Sequence, residues 1–278
     1  MDQASLETIL AELPVKHIRY FNRLGSTNDE ADRWAGQDAP DMALVVADEQ
    51  TAGKGRLGRK WITPSGAALA FSLVLRPEVE HAMVLPRCSA LGALAVCEAL
   101  SELYALQPEI KWPNDVLLDR RKAAGILAEA TWSGEQPASL VLGIGINVAP
   151  ASISEAALPK SSLLFPAACI EEFLDRPVDR QQLLRLILER LIAWRPRLAL
   201  QEFLNAWEAR LAFRGEWVQC LPGEAPVMAG APIQYQKNLP AVLEGRIIGL
   251  APDGALRLRT PAGEEVLVRV GDVRLRPV

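Results

Sequence analysis

Residues 42–66 read MALVVADEQTAGKGRLGRKWITPSG, and the choice of fold turns on what its glycines do. Gly53-Lys-Gly55-Arg-Leu-Gly58 matches the dinucleotide-binding pattern G-x-G-x-x-G letter for letter. In a doubly wound α/β fold that pattern follows a strand and opens a helix, whose N-terminus holds the pyrophosphate. The strand is there, since MALVVADEQ is an apolar, β-branched run that ends at the glycines. The helix is not: RKWITPSG, with Pro64 and Gly66 close behind the loop, is a poor helix start. The Rossmann reading therefore fails on context. What survives is a mobile basic loop. Glycines let backbone amides approach a ligand and tolerate positive φ, and successive amides can form an anion nest. Lys54, Arg56, Arg59 and Lys60 add charge that a phosphate or carboxylate would answer. A solvated basic loop has the same composition, so the decision passes to the rest of the chain.

The 278 residues, half of them hydrophobic, suffice for one large domain or for a domain and a smaller module. A formal net charge of −4 argues against a general nucleic-acid binder, so any basic site is local. No apolar run is expected to reach the roughly 20 residues that span a bilayer, and MDQASLETILAEL carries no basic leader. Cys88, Cys97, Cys169 and Cys220 form no C-x-x-C pair and read as core residues of a reducing cytosol. Two histidines make a histidine-based metal site improbable.

Along the chain, SLETILAEL predicts a helix, and HIRYFNRLGSTNDEADRWAG a strand, a turn and a helix capped by Ser26, Thr27 or Asn28. ALAFSLVLRP reads as a strand stopped by Pro77, and 85–103 as a helix. EIKWP, NDVLLD and AAGILAEATW follow as strands, with DRRK as a hairpin turn, then LVLGIGINV. Residues 149–166 predict a loop, and helices resume from 179 to about 211. Beyond Phe213 short strands broken by Gly and Pro indicate a small all-β module.

Two segments add chemistry. KWPND, residues 111–115, gathers a cation, an aromatic, an amide and a carboxylate around a proline, with Lys122 and Gly125 shortly after. An ordinary strand-turn-strand reads the same way. In VLGIGINV, residues 141–148, alternation puts Gly143, Gly145 and Asn147 on one face and Ile144, Ile146 and Val148 on the other. Glycine weakens a strand unless something must come close; a ligand, or another strand or helix, would explain the bare face.

Together these segments resemble biotin–protein ligases (biotin–[acetyl-CoA-carboxylase] ligases). The matching pieces are GSTNDEA, DEQTAGKGRLGRKW, KWPNDVLLDRRKAAGILAE, VLGIGINV and GDVRLRP, in the family's order from Gly25 to the C-terminus. The resemblance implies an α+β fold: a mixed β-sheet flanked by helices, of the class II synthetase-like biotin–lipoate ligase type, in residues 1–212, then a small SH3-like β-barrel in 213–278. It implies that biotin and ATP give biotinyl-5′-AMP and pyrophosphate, and that a lysine of a biotin carboxyl carrier protein then attacks the adenylate. Mg²⁺ would accompany the ATP.

Carried over residue by residue, the resemblance puts biotin near Ser26, Thr27, Gln50, Gly53, Gly125 and Leu127, with Arg56 and Lys122 on its carboxylate. It puts ATP near Arg56, Arg59, Trp61, Asn114, Lys122 and Asn147, with Asn147 reaching the metal indirectly through the phosphates. Lys122, Arg56 and Asp115 become the catalytic set: Lys122 between carboxylate and α-phosphate, Asp115 orienting or deprotonating the incoming amine, against its alternative as a hydrogen-bonded turn aspartate. Only about 25 residues precede GSTN, too few for the N-terminal DNA-binding domain some members carry, so no repressor function is expected. The remaining implications are a cytoplasmic enzyme with no nucleic-acid or membrane partner and a possible homodimer.

Two departures stand out: Ala168 and Cys169 replace the usual Thr and Ser, leaving the adenine side open, and Lys54 replaces a common arginine. The alternatives are a lipoate or octanoate ligase of the same fold and a non-catalytic biotin-binding regulator.

Overall fold

The structure is a computed structural model that describes residues 1–77, 84–153, 166–222, 242–269 and 271–274. Its first half is a mixed sheet. The strands are β1 (Ile18–Leu24), β2 (Ala43–Lys54), β3 (Lys60–Thr63), β4 (Ala68–Leu75), β5 (Glu109–Lys111), β6 (Asp115–Leu118), β7 (Arg121–Ser133) and β8 (Gln136–Asn147). They are ordered β1-β2-β4-β8-β7-β6-β5, with β3 pairing β2. The β1–β2 pair is parallel and the other pairs are antiparallel.

Helices cover both faces, which is why the central strands read as continuous apolar runs rather than alternating ones. On one side, α3 (Cys88–Tyr104) packs on the sheet and α4 (Arg180–Trp194) packs on α3. Leu44, Val46, Leu69, Phe71, Leu73, Ile126, Ile144 and Ile146 point into this main core. On the other side α2 (Thr27–Ala35) buries Ala31 and Ala35 against Val45, Val74 and Val141. The glycines of β8 share this second face. The sequence-based expectation of no near-membrane-length apolar run needs correction. Val84–Tyr104 is a 21-residue helical stretch long and apolar enough by length and composition, but it is the core helix and most of it is buried.

Both outer strands are capped. Gln3, in α1 (Gln3–Ile9), accepts from the Tyr20 N–H and donates to the Ile18 carbonyl on β1. Ile110 of β5 bonds the backbone of Arg210 and Ala212, just past α5 (Gln201–Ala209). Such capping blunts edge-to-edge pairing.

A second, antiparallel sheet of order β12-β11-β10-β9-β13 follows: β9 (Trp217–Pro222), β10 (Leu243–Leu250), β11 (Leu256–Arg259), β12 (Glu265–Val268) and β13 (Gly271–Arg274). Its small size and order are consistent with the SH3-like module expected. Most expected elements stand where the patterns put them. One boundary does not: β2 runs on through Gly53 to Lys54, because β3 folds back and pairs with it at Gly53↔Trp61 and Lys54↔Lys60. The glycine segment is thus a β2–β3 hairpin closed by a 3-10 turn at Arg56–Gly58, not the start of an α-helix. Of the loop expected at 149–166, residues 150–153 form a 3-10 turn, and 154–165 lie outside the described residues.

Candidate active site

The floor of the site is written in sheet register. Ala70 of β4, Gly145 of β8, Gly125 of β7 and Asp115 of β6 are directly opposite neighbours in turn. Opposed residues of antiparallel strands share a face, so three small residues lead across the sheet to a carboxylate. The indole of Trp61 lies over this row. A methyl group on Gly145 would sit 2.6 Å from Trp61 Nε1, and one on Gly125 would be 3.5 Å from its ring. The bare face of β8 is therefore covered by protein here: Trp61 over Gly145, and Asn28 over Gly143, where a methyl would sit 1.8 Å from Asn28 Oδ1. The Trp61 indole N–H is buried and has no hydrogen-bond partner among the described residues.

At the acidic end of the row three charges meet. Lys122 Nζ is 2.6 Å from Asp115 Oδ1, and Lys111 Nζ is 3.3 Å from Asp115 Oδ2. Burial alone pushes the Asp115 carboxyl up, but the charges and hydrogen bonds of Lys122 and Lys111 outweigh it and hold the pKa down at about 2. Lys122 also stands 5.4 Å from the Trp61 ring centroid, in cation–π range. The tip of the glycine hairpin reaches the same place, because Arg56 donates to Asn114 Oδ1 at 3.0 Å. Asn114 is fixed in turn by its amide on the Ile126 carbonyl at 2.8 Å. The Trp112–Pro113 peptide just before it is cis.

A polar cluster fills the other end, at the N-terminus of α2. Ser26 caps the helix by accepting from the Asp29 N–H. Gln50 Oε1 accepts from the Thr27 N–H at 2.8 Å and from its hydroxyl at 3.0 Å. Ser72 Oγ lies 2.8 Å from Thr27 Oγ1 and 2.7 Å from Asn28 Oδ1, and Asn28 donates to Glu129 at 2.8 Å. Gly53 stands so close to Gln50 and to the Trp61 carbonyl that a methyl would fall 2.1 Å from the latter, so only glycine fits. At the base of the hairpin, Lys54 is ion-paired with Asp29 of α2. A hydrogen-bonding cluster thus sits at one end and cations at the other, with a flat apolar floor between. That arrangement suits a ligand with a hydrogen-bonding head, an apolar middle and an anionic tail.

Known proteins resemble this chain in sequence and in fold. Residues 20–147 match the Biotin/lipoate A/B protein ligase family and residues 239–276 the Biotin protein ligase C terminal domain. The biotin–[acetyl-CoA-carboxylase] ligase of Paracoccus denitrificans is 36% identical over 250 residues, 88% of this chain and 95% of that protein. The chain belongs to the biotin–protein ligase family. The bifunctional ligase/repressor BirA of Bacillus subtilis is 40% identical over 137 residues, which span 49% of this chain but only 42% of that longer protein. The solved biotin protein ligase from Aquifex aeolicus in complex with biotin and ATP superposes with a TM-score of 0.74 at 28% identity, covering 94% of this chain and all of that one.

Of the residues expected in this ligase's site, Ser26, Thr27, Gln50 and Gly53 come together at the polar end. Gly125 and Trp61 meet at the floor, with Leu127 two residues further along the same face of β7. Arg56, Asn114, Asp115 and Lys122 form the charged end. Asn147 donates to the carbonyls of Ala168 at 3.1 Å and Lys122 at 3.4 Å. The departing Ala168 and Cys169 are buried, and the backbone of Ala168 pairs with that of Lys122. Arg59 closes the hairpin turn through a backbone bond from Gly55 to its carbonyl. Sequence reasoning gave no site role to Asn28, Ser72 and Glu129, which complete the polar cluster, and noted Lys111 only as the cation of KWPND, without the place it takes beside Asp115. The four cysteines are buried and form no disulfide among the described residues, and burial pushes Cys88 and Cys97 up to about 12, which makes those two poor nucleophiles.

Proposed function

We propose that this ligase activates biotin with ATP as biotinyl-5′-AMP, releasing pyrophosphate, and passes the biotinyl group to a lysine of a biotin carboxyl carrier protein. The observation that carries the residue assignment is the convergence of Lys122, Arg56 and Asn114 from three separate segments at one end of a glycine floor. A carboxylate and a triphosphate repel, and cations placed where their charges meet lower that barrier. Lys122 takes the position between carboxylate and α-phosphate, Arg56 the carboxylate and phosphate side, and Arg59 the pyrophosphate end. Ser26, Thr27, Gln50 and the Gly53 backbone take the ureido head. Gly125, Leu127 and Trp61 enclose the apolar middle. The hairpin serves as a lid, since mixed anhydrides hydrolyse and excluding water protects them.

Asp115 takes a different part from that of a proton acceptor. A carboxylate held near pKa 2 by two ammonium groups is a poor base at neutral pH, so it anchors Lys122 and accepts a hydrogen bond from the incoming amine. Among the described residues no three His, Cys, Asp or Glu side chains cluster as a metal cage. That fits Mg²⁺ arriving on the ATP phosphates, which supply most of its ligands. The ion would supply charge neutralisation of the triphosphate, and Asn147, whose amide donates to the Lys122 carbonyl, would act on it indirectly through the phosphates. The catalytic domain is residues 1–212, the SH3-like barrel is a separate domain of residues 213–278, and the reaction belongs in the cytoplasm. A homodimer would have to form without displacing the caps on β1 and β5.

The test is labelling of a carrier domain with biotin, ATP and Mg²⁺, beside Lys122→Ala. Wild-type labelling that falls at least about a hundredfold in the variant is expected. Labelling undiminished in Lys122→Ala removes that lysine from the chemistry. Labelling by lipoate and not biotin moves the chain to the sister activity, and biotin binding without labelling leaves a binding protein.

A further inference from the structure

The polar cluster at the N-terminus of α2 has more oxygen–oxygen contacts than hydroxyl protons to fill them. Among the described residues five side chains form one chain. Asn28 Nδ2 donates to Glu129 Oε2 at 2.8 Å, and Asn28 Oδ1 lies 2.7 Å from Ser72 Oγ. Ser72 Oγ is 2.8 Å from Thr27 Oγ1, which is 3.0 Å from Gln50 Oε1. Thr27, Asn28, Gln50 and Ser72 are all buried. The Thr27 N–H donates to Gln50 Oε1 and so fixes that amide with its oxygen toward Thr27. The stretch from Asn28 Oδ1 to Gln50 Oε1 therefore begins and ends on amide oxygens, which only accept. Between them lie three contacts and two hydroxyls with one proton each. Each contact alone is a hydrogen bond, but the three cannot all be made at once. Glu129 decides which one yields. It lies among the exposed residues, and an exposed carboxylate is ionised at neutral pH and only accepts. It claims the Asn28 NH2 group and turns Oδ1 toward Ser72. Hydroxyl bonds are best at roughly 2.7–2.8 Å, so Ser72 donates to Asn28 and Thr27 to Ser72. The longest contact, from Thr27 to Gln50, is the one left without a proton.

We propose that Glu129 is a positioning residue that points this chain of protons away from Gln50, and so keeps Gln50 Oε1 available to an N–H donor on the head of the ligand. A ureido N–H then gives Gln50 the proton that Thr27 withholds. Glu129 acts through Asn28, Ser72 and Thr27. Its place in the sheet fits that part, since it follows Gly125 and Leu127 on the floor face of β7, and Ser72, Gly143 and Leu127 are opposed in turn across β4, β8 and β7. Run the other way, from Asn28 through Ser72 and Thr27 to Gln50, the chain would give Gln50 Oε1 two protein donors and leave the site with less to offer an N–H. The inference rests on the proposed biotin site and adds a residue to it.

The experiment compares, by calorimetry on the full chain, binding of biotin with binding of 5-(tetrahydrothiophen-2-yl)pentanoic acid, which keeps the sulfur ring and the carboxylate but has no ureido group. Glu129→Gln keeps the shape and supplies the missing donor. The new amide can donate to Asn28 Oδ1, so the Asn28 amide turns over, every contact holds a proton and Gln50 is fully occupied. The expected result is a loss of the preference for biotin of about tenfold, the worth of one hydrogen bond, with a melting temperature that holds or rises. Ser72→Ala cuts the chain and leaves Thr27 to donate to Gln50. It is expected to lose the same preference, and Glu129→Gln added to it to lose no more, since the two act through one chain. A preference unchanged in Glu129→Gln overturns this inference alone. So does a loss that comes with a fall in melting temperature, the mark of a structural role, or one that adds to that of Ser72→Ala. Wild-type protein that binds the two compounds alike overturns the ureido reading of the polar end and this inference with it.

Discussion

Trp61 is the residue whose surroundings are least expected from an alternating strand. Its indole rests on Gly145 and Gly125, and its N–H is buried with no acceptor among the described residues. An unmet buried donor costs about 1–3 kcal/mol. A ligand acceptor arriving above the floor would recover that cost, as would a swing of the ring. Trp61→Phe is therefore expected to leave thermal stability unchanged or slightly raised, since the unmet donor goes with the ring nitrogen, while weakening ATP-dependent biotin retention several-fold. A clear fall in melting temperature would show that the N–H is satisfied in solution and that its role has been misplaced. Asp115 carries the second expectation at this scale. Its folded pKa, about 2, lies below the ordinary 3.8, so its contribution to stability is fully present above about pH 4 and is lost as pH falls toward 2. That contribution is about 2 kcal/mol by linkage. Asp115→Asn should flatten the acid arm of the stability–pH curve in this window. It should also lower stability at neutral pH, because the buried Lys111 and the half-buried Lys122 lose a shared carboxylate. An acid arm identical to wild type would mean that other carboxylates dominate.

At the scale of elements, α2 joins capping to binding. The stretch GSTND was legible as a helix start, and Ser26 is the residue that caps it. The same hydroxyl is proposed to face the ureido head, and the two roles separate by substitution. Ser26→Gly should cost only a few tenths of a kcal/mol, because glycine is a tolerable N-cap, and Ser26→Ala about 1 kcal/mol. Both should weaken biotin about tenfold if the hydroxyl also donates to the ligand, one lost hydrogen bond. Biotin affinity that is intact in Ser26→Gly would confine Ser26 to the cap. The glycine hairpin shows where legibility ends. Its failure as a Rossmann turn was readable from Pro64 and Gly66, but its actual form was not. β2 continues to Lys54 only because β3 returns to pair with it, a tertiary event that propensity over a short window does not encode. The floor is similar. Alternation within VLGIGINV disclosed Gly143 and Gly145, whereas the pairing of Gly145 with Gly125, and of Gly125 with Asp115, is long-range register. Lys111 escaped for the same reason, since its burial depends on segments distant in sequence. The caps on β1 and β5 likewise come from residues 3 and 210–212, far from the strands they protect.

Across the whole molecule, the second sheet is fastened to the back of the charged site. The Trp112 indole, in the segment that carries Asn114 and Asp115, donates to the Gly254 carbonyl of the β10–β11 turn at 3.1 Å. Arg87, at the start of the core helix, reaches the carbonyls of Leu198 and Pro252, and Glu208 of α5 accepts from the Leu250 N–H at 2.8 Å. Arg120, two residues before Lys122, pairs with Glu216 at the entrance to β9. The strands of the two sheets are separate in sequence, yet the turn holding Asn114 and Asp115 is braced by the smaller one. Trp112→Phe probes that brace with little change in packing, because the ring keeps most of its buried surface and only the N–H is lost. Leaving the buried Gly254 carbonyl unpaired should cost about 1–3 kcal/mol. If the brace aligns Asp115, carrier labelling should fall by more than the loss of folded protein accounts for, with biotin affinity nearly unchanged because the polar cluster at α2 lies at the other end of the floor. Calorimetric unfolding, biotin titration and labelling rates on one preparation separate the cases. Labelling that tracks only the folded fraction would make the second sheet a support for stability alone, whereas a slower rate in fully folded protein would make it part of the positioning of the reactive cluster.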